Sequence, residues 1–273
     1  MGIAHEHKPP TDQEFTDFAR LIYDRLGIFL PDSKKTLLMN RLWKRVDACG
    51  FDNYRDYYCF ILSKKGYSEL ELALDLITTN ETYFFREQKH FDYLLHHIVP
   101  RAKPADVLRI WSAAASTGEE PYSIAMLLAD KCHTQWELLC SDVNHSVIEK
   151  AKQGIYPNLR AEQVPLEYKR RFCRRGIGPQ EGFLRINPEL RCRVNFFTLN
   201  LNSDFELDLG KFDLVFLRNV LIYFDNRTKE QVLRRIAQTL KPGGLLFVGH
   251  SESLQGLTTH FNLVHPAIYR LST

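Results

Sequence analysis

Alternation of strand-like and helical segments after about residue 107 constrains the fold of this chain most. Apolar runs typical of buried strands are Val107–Ala113, Trp136–Asp142 and Phe212–Leu217. Segments with helical spacing of apolar residues lie between and after these runs, and Leu245–Val248 and Phe261–Leu271 are predicted as later strands. Such alternation is typical of a parallel sheet with helices on both faces. The sequence therefore predicts an α/β fold.

The N-terminal third has a different pattern and predicts a small all-helical domain. The predicted helices are Asp12–Leu26, Lys34–Cys49, Tyr54–Ser63 and Ser68–Thr78. Glycines at positions 27, 50 and 66 separate them, as expected where helices end. We therefore expect a helical domain over residues 1–90 and the α/β domain over residues 91–273.

One stretch does not fit the alternation. Residues 172–194 contain short apolar runs around Phe183–Ile186 and Leu190–Val194, separated by glycine and proline. This pattern predicts a small antiparallel β-subdomain of two or three strands inserted in the α/β domain.

Composition excludes several classes of protein. The net charge of +3 is too small to indicate nucleic-acid binding by itself. The six cysteines include no CxxC pair, so we expect free thiols in a reducing cytoplasm and no zinc site. Residues 1–10 carry no apolar signal-peptide core, and no apolar run is long enough to span a bilayer. These features predict a cytoplasmic protein.

The first strand is followed by a loop of small residues, Ser112 to Gly118, and then by Glu119 and Glu120. Small residues after a strand allow a ligand to approach the backbone. The loop lacks the three glycines of a dinucleotide fingerprint, and its acidic pair favours a cationic ligand over a pyrophosphate. A tight turn without a ligand explains the loop equally well.

Polar residues also follow other predicted strands. Asp142 ends the second strand, where a carboxylate can accept hydrogen bonds from ribose hydroxyls, or can cap the following helix. Arg218, Asn219 and Tyr223 follow Phe212–Leu217, although Tyr223 alone is better explained as a core aromatic residue than as a catalytic one.

A further polar group, Asn80, Thr82 and Arg86, flanks an aromatic pair. From the sequence alone, a helix cap and a surface arginine explain this group better than a ligand site does.

Together these segments resemble the CheR family of chemotaxis-receptor methyltransferases. The resemblance covers nearly the whole chain and is carried by four segments in order: Thr79–Glu87, Trp111–Ser123, Ser141–Asp142 and Leu217–Phe224. It implies a helical domain, a Rossmann-like domain that binds S-adenosyl-L-methionine, and a β-subdomain. It also implies O-methylation of glutamate side chains on the cytoplasmic part of bacterial chemoreceptors, with S-adenosyl-L-homocysteine as the product.

The resemblance further implies roles for individual residues. The residues that it places around the cofactor are Asn80, Thr82, Arg86, Glu120, Asp142, Asn200, Leu201, Arg218 and Asn219. Arg86 and Tyr223 are expected nearest the transferred methyl group, as catalytic residues that position the acceptor. A glutamate is ionised near neutral pH, so the transfer requires neither a general base nor a metal.

Two surfaces are candidates for receptor docking. Four basic residues, Lys34, Arg41, Lys44 and Arg45, share one side of the second predicted helix. They are either an ordinary solvated face or a contact for an acidic receptor helix. The resemblance also implies that the β-subdomain, around Gly176 and Gly178, binds a C-terminal receptor tail by strand addition, whereas a lid would be the alternative.

Two other functions remain open from the sequence: a nicotinamide-dependent oxidoreductase, and a non-catalytic module that binds S-adenosyl-L-methionine. The acidic loop and the missing glycines argue against the oxidoreductase. Turnover would separate the enzyme from the module. We expect a monomer, without nucleic-acid partners or membrane insertion.

Overall fold

A computed structural model describes residues 10–205 and 208–272 of the chain. The expectation about a signal peptide concerns residues that lie largely outside these ranges. The chain divides into two compact units. The first contains the chain up to Thr79 together with Tyr223–Asp225, and the second contains Asn80–Ile222 and the chain from Asn226 onward. The domain limits given above, with a boundary at residue 90, stay a prediction.

The first unit is helical, as predicted. Its helices are α1 (Asp12–Leu26), α2 (Lys35–Ala48), α3 (Tyr54–Ile61) and α4 (Tyr67–Ile77). A capping box between Thr11 and Glu14 begins α1, and Gly27 ends it with a left-handed φ of 73°. The core of this unit contains Phe18, Leu38 and Tyr57, each at most 2% exposed.

The second unit contains the remaining helices and all the strands of the described residues. Its helices are α5 (Lys89–Tyr93), α6 (Glu119–Lys131), α7 (His145–Gln153), α8 (Leu166–Phe172), α9 (Pro188–Arg191) and α10 (Asn226–Thr239). Its strands are β1 (Val107–Ser112), β2 (Gln135–Asp142), β3 (Ile155–Pro157), β4 (Cys173–Arg175), β5 (Phe183–Ile186), β6 (Val194–Thr198), β7 (Phe212–Leu217), β8 (Leu240–Val248), β9 (Phe261–His265) and β10 (Ile268–Leu271).

Seven strands form the main sheet in the order β6-β2-β1-β7-β8-β10-β9. Strands β6, β2, β1, β7 and β8 are parallel, which confirms the predicted α/β fold. The last predicted strand is wrong in detail, because it is a hairpin of β9 and β10 that makes the sheet mixed. Pro266 cannot donate a ladder hydrogen bond and Ala267 has a φ of 60°, so the chain turns there.

A second prediction also needs correction near β8. The sequence predicts a strand that starts at Leu245, and the Lys-Pro-Gly-Gly segment from Lys241 to Gly244 before it is typical of a turn. It lies within β8, where pairing with β7 shifts from Phe212–Leu240 to Leu214–Leu245. The extra residues therefore form an irregularity inside one strand, with Gly243 at a φ of 73°.

The β-subdomain is present as a three-stranded antiparallel sheet in the order β3-β5-β4. Its third strand is not Leu190–Val194, as the sequence suggested. Residues Pro188–Arg191 form the short helix α9, and Val194 begins β6 of the main sheet. The strand that pairs with β5 instead is β3, which precedes the predicted limits of 172–194. Strand pairing across this distance leaves no local signal in the sequence.

Large aromatic residues fill the core of the second unit on the main sheet. Trp111, Phe212, Phe216 and Phe247 are fully buried, and the Trp111 indole donates to the Ser141 hydroxyl at 3.0 Å. This core fixes β1, β2, β7 and β8 side by side. Among the described residues, no helix has the length and apolar character that a membrane span requires.

Candidate functional site

The candidate site lies in the second unit, where the central strands end. Strand β1 has β2 on one side and β7 on the other, so the order of strands reverses at β1. In open α/β sheets, ligands bind at the carboxyl ends of the strands next to such a reversal. Ser112, Asp142 and Leu217 end these three strands, and the loops that follow them contain most of the predicted cofactor residues.

Asp142 and the loop after β1 fix one another. The Ser116 amide donates to Asp142 Oδ2 at 2.8 Å, and the Asn144 amide donates to Oδ1 at 3.0 Å. The side chain of Asn144, not that of Asp142, caps α7, since Asn144 Oδ1 accepts from the Val147 amide. The capping alternative for Asp142 is therefore wrong. Asp142 is instead 9% exposed at the carboxyl end of β2, and two backbone amides donate to its carboxylate.

The loop after β1 has unusual backbone geometry. Ser116 has a φ of 48°, and Gly118 has a φ of 95°. A Cβ atom at Gly118 would lie 2.8 Å from the Tyr156 hydroxyl, so glycine is required there for both conformation and space. A non-glycine residue in the left-handed region stores strain, which is common at ligand sites.

The two acidic residues of the loop face different partners. Glu119 is fully buried and accepts from Thr117 Oγ1 at 2.6 Å and from Arg160 at 3.1 Å. Burial raises the pKa of Glu119 despite these partners. The idea that both carboxylates face a cationic ligand is thus wrong for Glu119. Glu120 lies at the carboxyl end of β1, where Ser112 Oγ donates to it at 2.8 Å.

Arg218 connects the loop after β7 to two acidic residues. It is 5% exposed, and its guanidinium donates to Glu120 at 2.6 Å and to Glu87 at 3.0 Å. It also donates to the backbone carbonyl of Arg86. Its buried Nε has no hydrogen-bond partner among the described residues. The structure thus brings Arg86, Glu120 and Arg218 together from three separate segments.

Asn219 follows Arg218 in a left-handed conformation, with a φ of 58°. Its amide donates to Glu252 at 2.7 Å, and its side-chain nitrogen lies 3.3 Å from Glu87. The amides of Gly249 and Ile222 also donate to Glu252. Burial raises the pKa of Glu252 even though these backbone amides favour the ionised form. Glu252 therefore holds two loops in place.

Sequence reasoning missed Glu87 and Glu252. Glu87 closes the quoted Thr79–Glu87 segment but was not assigned a role, although its φ of 60° and its bonds to Arg218 and Asn219 place it at the site. Burial opposes ionisation of Glu87. The Arg218 guanidinium and the hydrogen bonds from the His250 amide and Asn219 outweigh this effect, so the pKa of Glu87 is lowered. Glu252 lies in a Gly-His-Ser-Glu stretch after β8, and the end of that strand was the only available signal.

The segment before Glu87 lies beside the loop after β1. Ser116 Oγ donates to the Asn80 carbonyl at 3.1 Å, and the Phe85 amide donates to Ser123 Oγ at 2.9 Å. Asn80 and Thr82 are half-buried. The half-buried Arg86 side chain donates to the Glu81 carbonyl at 2.9 Å and lies 5.7 Å from the centre of the Tyr83 ring. The backbone carbonyl of Asn80 thus accepts from Ser116, and that of Arg86 accepts from Arg218.

Two further predicted residues follow β6 in the chain. Asn200 is half-buried, and its side-chain oxygen accepts from the Asn202 amide at 2.9 Å, which stabilises a tight turn. Leu201 is 7% exposed. Strand β6 pairs with β2, so the Asn200 turn follows the strand next to the one that ends at Asp142.

Tyr223 belongs to the first compact unit, unlike the other predicted site residues. It is half-buried, and its carbonyl accepts from the Phe29 amide at 2.8 Å. Its predicted catalytic role stays a prediction.

The basic side of α2 is only partly available for docking. Arg45 forms an ion pair with Glu69 at 2.5 Å, and Arg41 donates to the Thr78 carbonyl and to Thr79 Oγ1. These two arginines therefore stabilise the first unit, and their role in docking stays a prediction. Lys34 and Lys44 are exposed.

The two glycines of the β-subdomain have different reasons to be glycine. Gly178 has a φ of 56°, as expected for a turn. Gly176 is not in that region, but a Cβ there would lie 1.9 Å from the Gln180 carbonyl oxygen. Beside them lies a cavity of about 420 Å³. It is lined by Ile155, Arg174, Arg175, Gly176, Ile177, Gln180, Phe183, Leu184 and Arg185.

Comparison with known proteins assigns the chain to a class. Residues 80–269 match the family described as "CheR methyltransferase, SAM binding domain", and residues 13–78 match "CheR methyltransferase, all-alpha domain". A protein of Escherichia coli named chemotaxis protein methyltransferase is 42% identical over 96% of this chain and 92% of its own. Its namesake in Salmonella typhimurium is 41% identical over 96% of this chain and 91% of its own.

The chain therefore belongs to the CheR family of methyltransferases. Its cofactor is S-adenosyl-L-methionine, which the matched domain binds. The nicotinamide-dependent alternative is wrong, because the family match covers the whole α/β region that would have held a nicotinamide.

Proposed function

We propose that this protein transfers the methyl group of S-adenosyl-L-methionine to glutamate side chains on the cytoplasmic part of bacterial chemoreceptors. The products would be glutamate methyl esters and S-adenosyl-L-homocysteine, formed in the cytoplasm. The observation that carries this proposal is that Asp142, Glu120 and Arg218 lie at the carboxyl ends of the central strands in a CheR-family chain.

The residues at the carboxyl ends of these strands fit the chemistry of the cofactor. Asp142 offers carboxylate oxygens suited to ribose hydroxyls. The buried Nε of Arg218 lacks a hydrogen-bond partner among the described residues, which suits a site that takes a carboxylate such as the methionyl group. We assign Glu120 to the ribose or methionine end and Asn219 to the methionyl part.

The remaining predicted cofactor residues follow from position. We assign Asn200 and Leu201 to the adenine, because the loop after β6 lies next to the strand that ends at Asp142. Asn80, Thr82 and Arg86 would complete the pocket, since the Asn80 carbonyl is already bonded to the strained Ser116.

The chemistry requires alignment more than proton transfer. When bound, the cofactor supplies an electrophilic methyl group on a sulfonium. A glutamate acceptor, with a pKa of about 4.3, is already a carboxylate near neutral pH. The protein must orient this carboxylate in line with the methyl group and exclude water. Arg86 can do so through its planar guanidinium, and Tyr223 can donate one hydrogen bond.

The direct test is transfer of radiolabelled methyl from S-adenosyl-L-methionine to purified receptor cytoplasmic domains. We expect label on the receptor that mild base releases as methanol, because methyl esters hydrolyse in base. A receptor domain with its candidate glutamates changed to alanine is the matched control and should stay unlabelled. Cofactor binding without any labelled receptor would support the non-catalytic alternative and contradict the proposal.

We also propose that the β-subdomain binds a C-terminal receptor tail. Strand β4 lies at one edge of the small sheet, and Arg174 and Arg175 on it are exposed. An edge strand can accept an extended peptide through backbone hydrogen bonds. Beside it, Ile177 is 81% exposed, which gives the edge an apolar contact next to two cations. An acidic or carboxylate-bearing tail with one apolar side chain fits this surface.

A further inference from the structure

Three side chains that bind metals well lie together beside the candidate cofactor site. They are Glu87, His90 and His250, and one ligand atom of each lies within 4.8 Å of the others. All three belong to the second unit. Glu87 precedes α5, His90 is in α5, and His250 follows β8, so the fold alone brings them together.

His90 is the unusual member of this cluster. It is 1% exposed, yet neither ring nitrogen has a hydrogen-bond partner among the described residues. Buried polar groups are nearly always paired, so an unpaired imidazole in the core needs an explanation. Its Nδ1 lies 3.5 Å from Glu87 Oε2, and its ring centre lies 4.8 Å from that of His250. The side chain is thus directed at the other two members.

The protonation state of His90 also suits a metal ligand. Burial, reinforced by the nearby Arg218 cation, lowers the pKa of His90 to about 3. The ring is therefore neutral at physiological pH and keeps a lone pair available. Neutral imidazole is a common ligand of transition metals in proteins.

We propose that Glu87, His90 and His250 form an inhibitory site for a divalent transition-metal ion of the Zn²⁺ type. Two imidazoles and a carboxylate form the donor set that such ions prefer, with a water completing the coordination. Ligand atoms around a tetrahedral Zn²⁺ lie roughly 3.3 Å apart, given metal–ligand bonds of about 2.0–2.1 Å. The 3.5 Å between Glu87 and His90 already fits, and the exposed His250 side chain can rotate to close the rest.

Metal binding at this site would compete with an existing ion pair. Glu87 Oε2 now accepts from Arg218 at 3.0 Å, and Glu87 Oε1 lies 3.3 Å from Asn219 Nδ2. A divalent ion on Glu87 would be repelled by the Arg218 guanidinium and would weaken its hold on that side chain. This repulsion limits the metal affinity. It would also displace Arg218 and Asn219, which we propose to face the methionyl part of the cofactor. The metal site itself does not depend on the proposed function, whereas its effect on the cofactor does.

The first experiment measures Zn²⁺ alone, without cofactor, by competition with a chromophoric chelator. The full chain is used with His5 and His7 changed to glutamine, because this N-terminal His-Glu-His stretch can itself bind metals. We expect saturable binding that His250→Gln weakens by at least about tenfold. His97→Gln, which removes another exposed histidine, is the matched control and should bind as before. Equal Zn²⁺ binding by the two variants would overturn the proposal.

The second experiment measures S-adenosyl-L-methionine affinity by calorimetry with and without Zn²⁺. We expect Zn²⁺ to weaken cofactor binding by about tenfold, a loss that EDTA reverses and that His250→Gln abolishes. His250→Gln is chosen over a change at His90 because an exposed side chain can be replaced without disturbing the core. Cofactor affinity that Zn²⁺ does not change would overturn the inhibitory role. If no variant binds the cofactor at all, the first experiment still decides the metal site, and the failure lies with the proposed function.

Discussion

At the scale of single residues, the candidate site depends on charges that are buried in pairs. Arg218 contacts Glu120 and Glu87, and both acids have other donors as well. Removing one member of such a network leaves the remaining buried charges only partly compensated, which costs more than one hydrogen bond. Within this Arg218 network, variants that retain shape are therefore more informative than charge removal.

The first residue-scale prediction concerns Asp142. We expect Asp142→Ala to weaken S-adenosyl-L-methionine binding by about 1.5–3 kcal/mol, the usual range for hydrogen bonds to a charged acceptor. The change also leaves the Ser116 amide without its acceptor, so the unfolding temperature should fall slightly. Calorimetry measures the affinity, and thermal unfolding measures the stability. If the variant bound the cofactor as tightly as the parent chain, Asp142 would have only a structural role.

The second concerns Arg86, whose backbone and side chain have separate partners. Its carbonyl accepts from Arg218, whereas its guanidinium donates to the Glu81 carbonyl and lies over the Tyr83 ring. Arg86→Ala keeps the carbonyl, so we expect a larger loss of turnover than of cofactor affinity. Tyr223→Phe should cost less turnover, since the ring remains. Full activity of Arg86→Ala would remove this residue from the mechanism.

At the scale of elements, an ion pair between Arg45 and Glu69 joins α2 to α4. Arg45 donates to both carboxylate oxygens of Glu69, and the Tyr57 hydroxyl from α3 donates to the same carboxylate at 2.8 Å. Three of the four helices of the first unit therefore meet at Glu69, which is only 7% exposed. The basic pattern on α2 that suggested docking thus serves helix packing in part.

We expect Glu69→Gln to lower the free energy of unfolding by about 2 kcal/mol at pH 7, as for a hydrogen-bonded charged group. Although burial opposes ionisation, hydrogen bonds from Arg45 and Tyr57 lower the pKa of Glu69 in the folded state. The stabilisation is therefore fully present above the unfolded pKa of about 4.3 and is lost as pH falls through the lower folded value.

Denaturant unfolding of parent and variant from pH 3 to pH 8 measures this difference. The two stabilities should converge at the acidic end. A difference that stayed constant down to pH 3 would contradict the role of the Glu69 charge.

The exposed lysines of α2 give a cleaner docking test than its arginines. We expect Lys34→Glu with Lys44→Glu to raise the Michaelis constant for receptor at low salt, because the proposed acceptor is a receptor helix that carries glutamates. Cofactor affinity should not change. The matched control reverses Lys64 and Lys65, which are exposed on the same unit. Equal receptor kinetics for both double variants would exclude this side of α2 from docking.

At the scale of the whole molecule, the β-subdomain meets the loop after β1 through its strand β3, where the Tyr156 hydroxyl donates to the Thr117 carbonyl at 2.7 Å. The proposed docking strand β4 lies at the opposite edge of the small sheet from β3, with β5 between them. A receptor tail held there would raise the local concentration of receptor helices without touching the site. Docking and cofactor binding should therefore vary independently.

We expect micromolar-range binding of a receptor's C-terminal peptide to the intact protein, unaffected by cofactor. Deleting residues 176–182 should abolish it and leave cofactor affinity intact. Gly176→Ala should weaken it as well, because the added Cβ would lie 1.9 Å from the Gln180 carbonyl and displace the turn. Calorimetry with tail peptides measures both. A screen in which no tail peptide bound the intact protein would favour the lid alternative.

The sequence by itself determined the family and those elements whose signals are local. The bounds of α1 and β7 agree with the prediction, because their apolar spacing and their ends are local features. The CheR motifs likewise stand in continuous segments, so the cofactor could be expected without a structure. Where pairing is not local, prediction failed, as it did for β3 and for the hairpin of β9 and β10.

Only the tertiary structure decided which charges meet. The sequence predicted Arg45 as a docking residue, and the structure pairs it with Glu69 of α4. The sequence predicted Glu119 as a ligand contact, and the structure pairs it with Arg160. Glu87 and His250 are 163 positions apart in the chain, yet they share a hydrogen bond. A sequence records the type of each side chain, but Coulomb and hydrogen-bond energies depend on distances that folding alone sets.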